Sequence, residues 1–139
     1  MEGSFVKDLK SGGLKELILI DDEPLSNRIH SRLIESIDSE VSITCFTEPV
    51  AAMAHLKNQH PSALILLDIN MPLMNAWDCL EYFNNNNIQN DVVILSSSIN
   101  PQDNERASRY QSVKGFFNKP LTKDNIRLLL EKLGGGSFH

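Results

Sequence analysis

Residues 63–74 read ALILLDINMPLM, and this stretch indicates the fold more clearly than any other part of the chain. Its first five residues, 63–67, are all apolar, without the alternation expected of a strand that has one face in water. Such a run is typical of a strand covered on both faces, as in a parallel sheet. Asp68 ends the run, and the Ile-Asn-Met-Pro that follows is compatible with a turn. The stretch therefore predicts a buried strand with an acid at its carboxyl end.

Predicted strands and helices alternate on both sides of this segment. The run ELILID, residues 16–21, also ends in acid, and Pro24 suits the first turn of a following helix. Five strand–helix units in a row predict an α/β protein with a doubly wound, five-stranded parallel sheet and five helices on its two faces. The other strands are predicted at Val41–Phe46, Asp91–Leu95 and Gly115–Asn118. The helices are predicted at Pro24–Ile37, from Thr47 or Glu48 to Lys57, and at Asn75–Phe83, Pro101–Tyr110 and Thr122–Leu133.

Two patterns predict which side chains face the core. Leu25, Ile29, Leu33 and Ile37 follow one another at a spacing of four, which places them on one side of the first helix. The first helix is therefore expected to rest on the sheet through this apolar stripe. Cys45 alternates with polar residues in the second strand and is expected to be a small core residue.

The composition limits the classes to which the protein can belong. Its 139 residues fit one domain, and a net charge of −5 argues against a nucleic-acid-binding surface, which needs clustered Lys and Arg. The longest apolar runs have about five residues, whereas a membrane span needs about 20. Two cysteines are too few for a disulfide framework, and they show no zinc-binding spacing. No secretory signal is visible, so a reducing cytoplasm is the expected location.

The two ends of the chain differ in character from its middle. Residues 1–13 show no sustained periodicity and end in Ser-Gly-Gly, which is typical of a flexible extension or an added leader. Residues 134–139, GGGSFH, are expected to form a flexible tail. The folded domain is therefore predicted over residues 14–133.

Side chains able to do chemistry follow four of the five predicted strands. Asp21 and Asp22 follow the first strand, Asp68 the third, Ser96 the fourth and Lys119 the fifth. Each has an ordinary interpretation by itself, such as a helix cap, a turn residue or a solvated strand end. Together they indicate a site, because ligands of parallel α/β sheets bind beyond the carboxyl ends of the strands.

Three clustered carboxylates repel one another and require a cation. Oxygen ligands favour a hard ion such as Mg²⁺, which binds through one or two carboxylates and keeps several waters. With two acids at the metal, the third can attack phosphorus and form an aspartyl phosphate. The metal and the lysine would then offset the charge of the transferring group, to which the serine hydroxyl can donate a hydrogen bond. The set therefore predicts phosphoryl transfer onto a carboxylate.

The order of these residues resembles that of the receiver domains of two-component response regulators. The similarity covers about residues 15–133 and is most specific at Leu67–Met74, which is similar to the phosphoacceptor segment of that family. The resemblance implies the flavodoxin- or CheY-like strand order 2-1-3-4-5. The other matching motifs are the acidic pair Asp21-Asp22, the switch residue Ser96 and the pair Lys119-Pro120, for which the family's cis peptide bond is expected.

The resemblance also implies a role for each residue near the metal. Asp68 would accept a phosphoryl group from a phosphohistidine on a sensor histidine kinase or phosphotransfer protein, or from a small phosphodonor. The carboxylates of Asp22 and Asp68 would bind Mg²⁺ together with the main-chain carbonyl of Asn70, and Asp21 would act through a bound water. Self-dephosphorylation of the aspartyl phosphate would be slow.

Three further residues would act on the phosphoryl group or carry the signal away from it. Lys119 and Ser96 would contact the group, and the movement of Ser96 would let Phe116, at the aromatic switch position, rotate inward. The helix Pro101–Tyr110 has little apolar periodicity, so it is expected to be weakly held and to respond. The face made by the fourth helix, fifth strand and fifth helix would then bind a downstream protein partner or a second copy of the chain.

Two other functions are compatible with this fold. A phosphorylation-independent adaptor is the main alternative, although it would have no use for the full set of Asp22, Asp68, Ser96 and Lys119. A phosphatase with an aspartyl-phosphate intermediate needs a second acid in an Asp-x-Asp arrangement, where this chain has Asn70. No Walker A, GxGxxG, HExxH or GxSxG motif is present, so nucleotide hydrolysis and hydride transfer have no support. A signalling protein switched by phosphorylation, and not a turnover enzyme, is therefore predicted.

One position departs from the pattern of the receiver family. The family usually has Gly two residues after Met74, whereas this chain has Ala76. If that position requires a positive φ, Ala costs on the order of 1 kcal/mol there. The departure concerns loop geometry and removes no chemical group.

Overall fold

Strands and helices alternate along the protein in the computed structural model, which describes residues 5–6, 16–57, 63–72, 74–97 and 100–133. The strands are β1 (Phe5–Val6), β2 (Glu16–Ile20), β3 (Ser42–Phe46), β4 (Ala63–Asp68), β5 (Val92–Ser96) and β6 (Val113–Asn118). The helices are α1 (Pro24–Ile37), α2 (Pro49–Leu56), α3 (Ala76–Asn85), α4 (Pro101–Ser108) and α5 (Lys123–Leu133). None of these described helices is long and apolar enough to cross a bilayer.

All strands lie in one sheet with the order β1-β6-β5-β4-β2-β3. The five strands β2 to β6 pair in parallel, so their order corresponds to 2-1-3-4-5 when they alone are counted. This confirms the predicted doubly wound fold. The additional strand β1 pairs antiparallel with β6 at the edge of the sheet, where Phe5 is opposite Phe116 and Val6 is opposite Gly115.

The predicted end segments are described only in part. Within the extension expected over residues 1–13, Phe5 and Val6 form β1 and thus belong to the sheet. The other residues of that extension, and the tail predicted over residues 134–139, lie outside the described residues.

The core consists of two apolar layers, one on each face of the sheet. All six residues of the central strand β4 are buried, as the uninterrupted apolar run predicts. Ile65 and Leu67 face the layer formed with α2, α3 and α4, whereas Leu64 and Leu66 face the layer formed with α1 and α5. The carboxyl ends of the inner strands are therefore held between helices on both sides.

Helix α1 does not rest on the sheet through the apolar stripe that its sequence predicts. Leu25 and Ile29 are 66% and 49% exposed, and Leu33 and Ile37 are only partly buried. The prediction is therefore wrong for the first half of the helix. The buried side chains of α1 are instead Asn27, His30 and Ile34.

Polar backbone groups beneath α1 explain this orientation. Asn27 Nδ2 donates hydrogen bonds to the main-chain oxygens of Asp21 and Phe46, at 3.1 and 3.2 Å. Buried carbonyl groups need hydrogen-bond partners, so a polar side chain is favoured on the inner side of the helix. Leu25 and Ile29 are consequently left in solvent.

Cys45 is also placed differently from the prediction. It is exposed, although its alternation with polar residues predicted a core position. The strand that carries it, β3, is the last strand at one edge of the sheet. Its residues are exposed or only partly buried, because an edge strand is covered less completely than an inner one.

Replacing one residue on each side of α1 tests its orientation. Ile34→Ala removes packing from the core and is expected to lower the free energy of unfolding by about 2–5 kcal/mol. Leu25→Ala removes an exposed side chain and is expected to change it by less than about 0.5 kcal/mol. Urea unfolding of the two variants provides the comparison, and equal losses would contradict the orientation.

Candidate functional site

The side chains predicted to form a site meet at one edge of the sheet. Asp21 follows β2, Asp68 is the last residue of β4, Ser96 is the last residue of β5, and Lys119 follows β6. Because β4 lies between β2 and β5 in the sheet, Asp68 occupies the middle of this group. The shared edge is thus a consequence of parallel pairing.

Both carboxylate oxygens of Asp21 accept hydrogen bonds. Oδ1 accepts from the main-chain N–H of Glu23 at 3.0 Å. Oδ2 accepts from the hydroxyl of Ser26 and from the ammonium of Lys119, each at 2.7 Å. Burial by itself would raise the pKa of Asp21, but these hydrogen bonds outweigh it and lower the pKa below its ordinary value. Asp21 is therefore an ionised carboxylate, and both of its oxygens accept hydrogen bonds.

The ammonium of Lys119 lies between two carboxylates. Its Nζ is 2.7 Å from Asp21 Oδ2 and 3.4 Å from Asp68 Oδ1. Burial would lower the pKa of Lys119, but the two carboxylates outweigh burial and raise it. The Lys119–Pro120 peptide bond is cis, as the resemblance implied.

The surroundings of Asp68 disfavour the ionised form of its carboxyl group. Its side chain is almost wholly buried, and burial together with the nearby charge of Asp21 raises its pKa to about 6, against the opposing effect of Lys119. One carboxylate oxygen from each of Asp21, Asp22 and Asp68 lies within 4.8 Å of the others. Among the residues that the structure describes, these three acids face the ammonium of Lys119, and the excess of negative charge is one that a divalent cation would offset.

Ser96 and Phe116 lie on the two strands beyond Asp68. Asp68 is opposite Leu95, so Ser96 is one residue further along the neighbouring strand, and it is completely buried. Phe116 on β6 is 2% exposed and packs in the core. Phe116 is therefore buried in this structure, and its rotation after phosphorylation stays a prediction.

The loop after Asp68 accommodates Ala76 without strain. Among the described non-glycine residues a positive φ occurs at Asn87, so the cost considered for Ala76 does not arise. Ala76 is buried as the first residue of α3, and its N–H donates to the main-chain oxygen of Ile69 at 3.2 Å. Asn75 caps the helix by accepting a hydrogen bond from the N–H of Asp78 at 3.0 Å.

Sequence reasoning missed three residues of α1 that support the site. Ser26 donates to Asp21, Asn27 donates to the oxygen of Asp21, and His30 accepts from the N–H of Leu121 at 3.2 Å. The signal that would have found two of them is the helical spacing of the polar Asn27 and His30 with Ile34, which places all three on one side of the helix.

The comparison with known proteins identifies the family. The sequence model of the family described as response regulator receiver domain matches residues 17–131 of this chain. The chain therefore belongs to the response regulator receiver domain family. It is a receiver domain of two-component signalling, a family of signalling modules that interact with histidine kinases or phosphotransfer proteins. The resemblance to receiver domains and the predicted fold class are thereby confirmed.

Relatives and solved structures agree with this assignment. The two-component response regulator ARR22 of Arabidopsis thaliana is 25% identical over 120 residues, which are 86% of this chain and 84% of that protein. The hybrid signal transduction histidine kinase C of Dictyostelium discoideum is 25% identical over an alignment 125 residues long, which covers 84% of this chain and 10% of that protein. The crystal structure of a two-component response regulator from Cytophaga hutchinsonii has a TM-score of 0.77 and 28% identity, with 87% of this chain and 97% of that chain covered.

The raised pKa of Asp68 predicts a pH-dependent effect of its removal. Its pKa of about 6 in the folded protein lies above the ordinary 3.8 of the unfolded chain, so the folded state binds the proton of Asp68 more tightly. The resulting contribution to the free energy of unfolding is fully present below about pH 4 and is lost as the pH rises through 6. Asp68→Asn is therefore expected to be more stable than the wild type at pH 7, by on the order of 1–2 kcal/mol, and equally stable near pH 4.

Urea unfolding in EDTA at several pH values measures this difference. Asp124→Asn serves as the control, because the Asp124 side chain is 96% exposed and its removal changes the net charge equally. A stability difference for Asp68→Asn that does not vary with pH would show that Asp68 titrates normally.

Proposed function

We propose that this chain accepts a phosphoryl group on Asp68 from a phosphohistidine of a sensor histidine kinase or phosphotransfer protein, in a Mg²⁺-dependent reaction. The observation that carries the proposal is the position of the buried Asp68 carboxylate, 3.4 Å from the Lys119 ammonium and beside Asp21 and Asp22. Such a site offers a nucleophile together with positive charge for the transferring group. We further propose that residues 14–133 suffice for this function.

The donor set fits a hard divalent cation. Asp22 and Asp68, with the main-chain carbonyl of Asn70, would hold Mg²⁺, because these oxygens are the ligands that this ion prefers. Asp21 would act through a bound water, since both of its oxygens already accept hydrogen bonds. When bound, the ion supplies positive charge that offsets the charge of the transferring phosphoryl group.

The side chains of the site divide the transfer step among them. A carboxylate oxygen of Asp68 forms the new bond to phosphorus while the bond from phosphorus to the donor imidazole breaks. The electron pair of that bond stays on the imidazole nitrogen. Lys119 stabilises the negative oxygens of the moving group, and the Ser96 hydroxyl donates a hydrogen bond to one of them once it is attached.

Hydrolysis of the aspartyl phosphate would be slow because the residue two positions after Asp68 is not a base. The residue two positions after Asp68 is Asn70, whose side chain is exposed and whose amide cannot remove a proton from water. The phosphorylated form would therefore persist long enough to act as a signal. A phosphorylation-independent adaptor remains the alternative function, but the ion pairs that join Asp21, Lys119 and Asp68 would serve no purpose in it.

Phosphorylation of a single residue tests the proposal. After incubation with acetyl phosphate and Mg²⁺, the wild-type protein is expected to gain one phosphoryl group by intact mass, and hydroxylamine is expected to remove it as an acyl phosphate. Asp68→Ala is expected to gain none, whereas Asp124→Ala, which lacks an exposed carboxylate, is expected to behave as the wild type. An adduct that persists in Asp68→Ala would refute the assignment of the acceptor.

An apolar patch on α1 lies where a phosphodonor would approach. Leu25 and Ile29 are exposed one turn apart, and Leu25 is three residues after Asp22. Exposed apolar side chains beside a reactive site are typical of a protein-binding surface. We propose that the protein that donates the phosphoryl group docks on these two residues.

The docking role predicts a difference between protein and small-molecule donors. The double variant Leu25→Ala, Ile29→Ala is expected to slow transfer from a cognate histidine phosphotransfer protein about tenfold, because two apolar contacts are lost. Its rate with acetyl phosphate is expected to stay unchanged, since Asp68 is not altered. Val50→Ala is the matched control, because Val50 is 66% exposed but lies on α2. Equal slowing with both donors would contradict docking.

The signal is proposed to leave the site through α4, β6 and α5. Helix α4 has one buried residue, Ala107, and a stack of side chains ties it to α3. The Arg106 guanidinium lies 4.4 Å from the ring centre of Trp77, and Trp77 stacks on Tyr110 at 5.9 Å. A helix with a single buried side chain can shift at low cost, which supports this face as the surface for a downstream partner or a second copy.

A further inference from the structure

The buried side of α1 carries a histidine that contacts the loop after Lys119. His30 is 2% exposed, and its Nε2 accepts a hydrogen bond from the main-chain N–H of Leu121 at 3.2 Å. Leu121 is two residues after Lys119, whose ammonium joins Asp21 and Asp68. His30 is thus hydrogen-bonded to the segment that carries the ammonium. The hydrogen bonds described for His30 include none to the carboxylates of Asp21 or Asp68.

The backbone of Lys119-Pro120-Leu121 is held on two sides. The N–H of Lys119 donates to the main-chain oxygen of Ser96 at 2.8 Å, which fixes the segment to β5. Pro120 has no N–H and donates nothing. The N–H of Leu121 donates to His30, which fixes the segment to α1. These two hydrogen bonds bracket the residue that carries the ammonium.

The hydrogen bond to Leu121 defines the state of the imidazole. Because Nε2 accepts a hydrogen bond, it carries no proton, and the ring is neutral with its proton on Nδ1. Burial lowers the pKa of His30, and the charge of Lys119 lowers it further, against a smaller opposite effect of Asp21. A neutral acceptor therefore agrees with the surroundings of the ring.

We propose that His30 is a positioning residue that holds the Lys119 backbone so that its ammonium lies between Asp21 and Asp68, ready to bind a phosphoryl group. This inference rests on the proposed function, since it assigns to Lys119 the task of binding that group. A histidine that merely fills the core would stabilise the fold but would have no specific effect on Lys119. The two roles are separable by experiment.

Beryllofluoride, a mimic of the phosphoryl group, provides the test in the presence of Mg²⁺. His30→Met keeps the size of the side chain but removes the acceptor, so it is expected to weaken beryllofluoride binding about fivefold to tenfold, as the loss of one hydrogen bond implies. Mg²⁺ binding measured alone is expected to change less than twofold, because Lys119 is not a ligand. The fluorescence of Trp77, the single tryptophan of the sequence, is followed in both titrations.

Rescue and a double-mutant cycle distinguish positioning from packing. His30→Gln places an amide oxygen at the reach of Nε2 and is expected to restore binding. In a Lys119→Ala background, His30→Met is expected to have no further effect, because the group that it positions is gone. Ile34→Val, one turn further along α1, is the control for a loss of packing and is expected to leave beryllofluoride binding unchanged.

The outcomes separate this inference from the proposed function. Wild-type protein that binds no beryllofluoride would contradict the proposed function, and the ¹⁵Nζ resonance of Lys119 would then still test the positioning role. That resonance is expected to move in His30→Met and to return in His30→Gln. Unchanged binding and an unchanged resonance in His30→Met, or additive effects in the Lys119→Ala background, would overturn the inference. If His30→Met does not fold, His30→Asn takes its place, because its amide is too short to reach Leu121.

Discussion

The ammonium of Lys119 joins the carboxylates of Asp21 and Asp68, and the rest of the site depends on this interaction. Ionised groups are costly to bury unless they are paired, so the three strand ends that carry these residues must meet at fixed positions. The parallel sheet meets this requirement by placing β4, with Asp68, between β2 and the strands that lead to Lys119. The ammonium of Lys119 does not balance the charge of the three carboxylates of Asp21, Asp22 and Asp68, which together form an acidic pocket able to bind a metal ion.

Helix α1 turns the polar side chains of Asn27 and His30 toward the site and leaves the apolar Leu25 and Ile29 exposed. Asn27 binds the main-chain oxygens at the ends of β2 and β3, and His30 binds the main chain beyond Lys119. The hydrogen bonds of Asn27 Nδ2 and His30 Nε2 offset part of the hydration that these side chains lose on burial, whereas Asn27 Oδ1 is buried without a hydrogen-bond partner among the described residues. The same rotation of the helix leaves Leu25 and Ile29 in solvent beside the acidic pair. One choice of helix orientation thus supports the site from within and provides an apolar surface outside it.

The sequence predicted those features that depend on local pattern. The unbroken apolar run of β4 identified a strand covered on both faces, and the acids at the strand ends identified the edge of the sheet where Asp21, Asp22 and Asp68 meet. The prediction that the apolar stripe beginning at Leu25 faces the core was wrong for the first half of α1. A spacing of four between apolar residues cannot reveal that the surface beneath the helix consists of polar backbone groups. The pairing of Phe5 and Val6 with β6 was not foreseen, because two residues are too few to show a period of two. The buried position of Phe116 depends on packing among distant elements, which no local pattern reports.

The most direct test of this account is the titration of the Asp68 carboxyl carbon by ¹³C NMR, in EDTA and then with Mg²⁺. Without metal, its midpoint is expected near pH 6, because the carboxyl is buried beside the charge of Asp21. With Mg²⁺, the midpoint is expected to fall, because a cation beside the carboxyl stabilises its ionised form. A midpoint near the ordinary 3.8 that Mg²⁺ does not move would contradict both the excess of negative charge and the metal site built upon it.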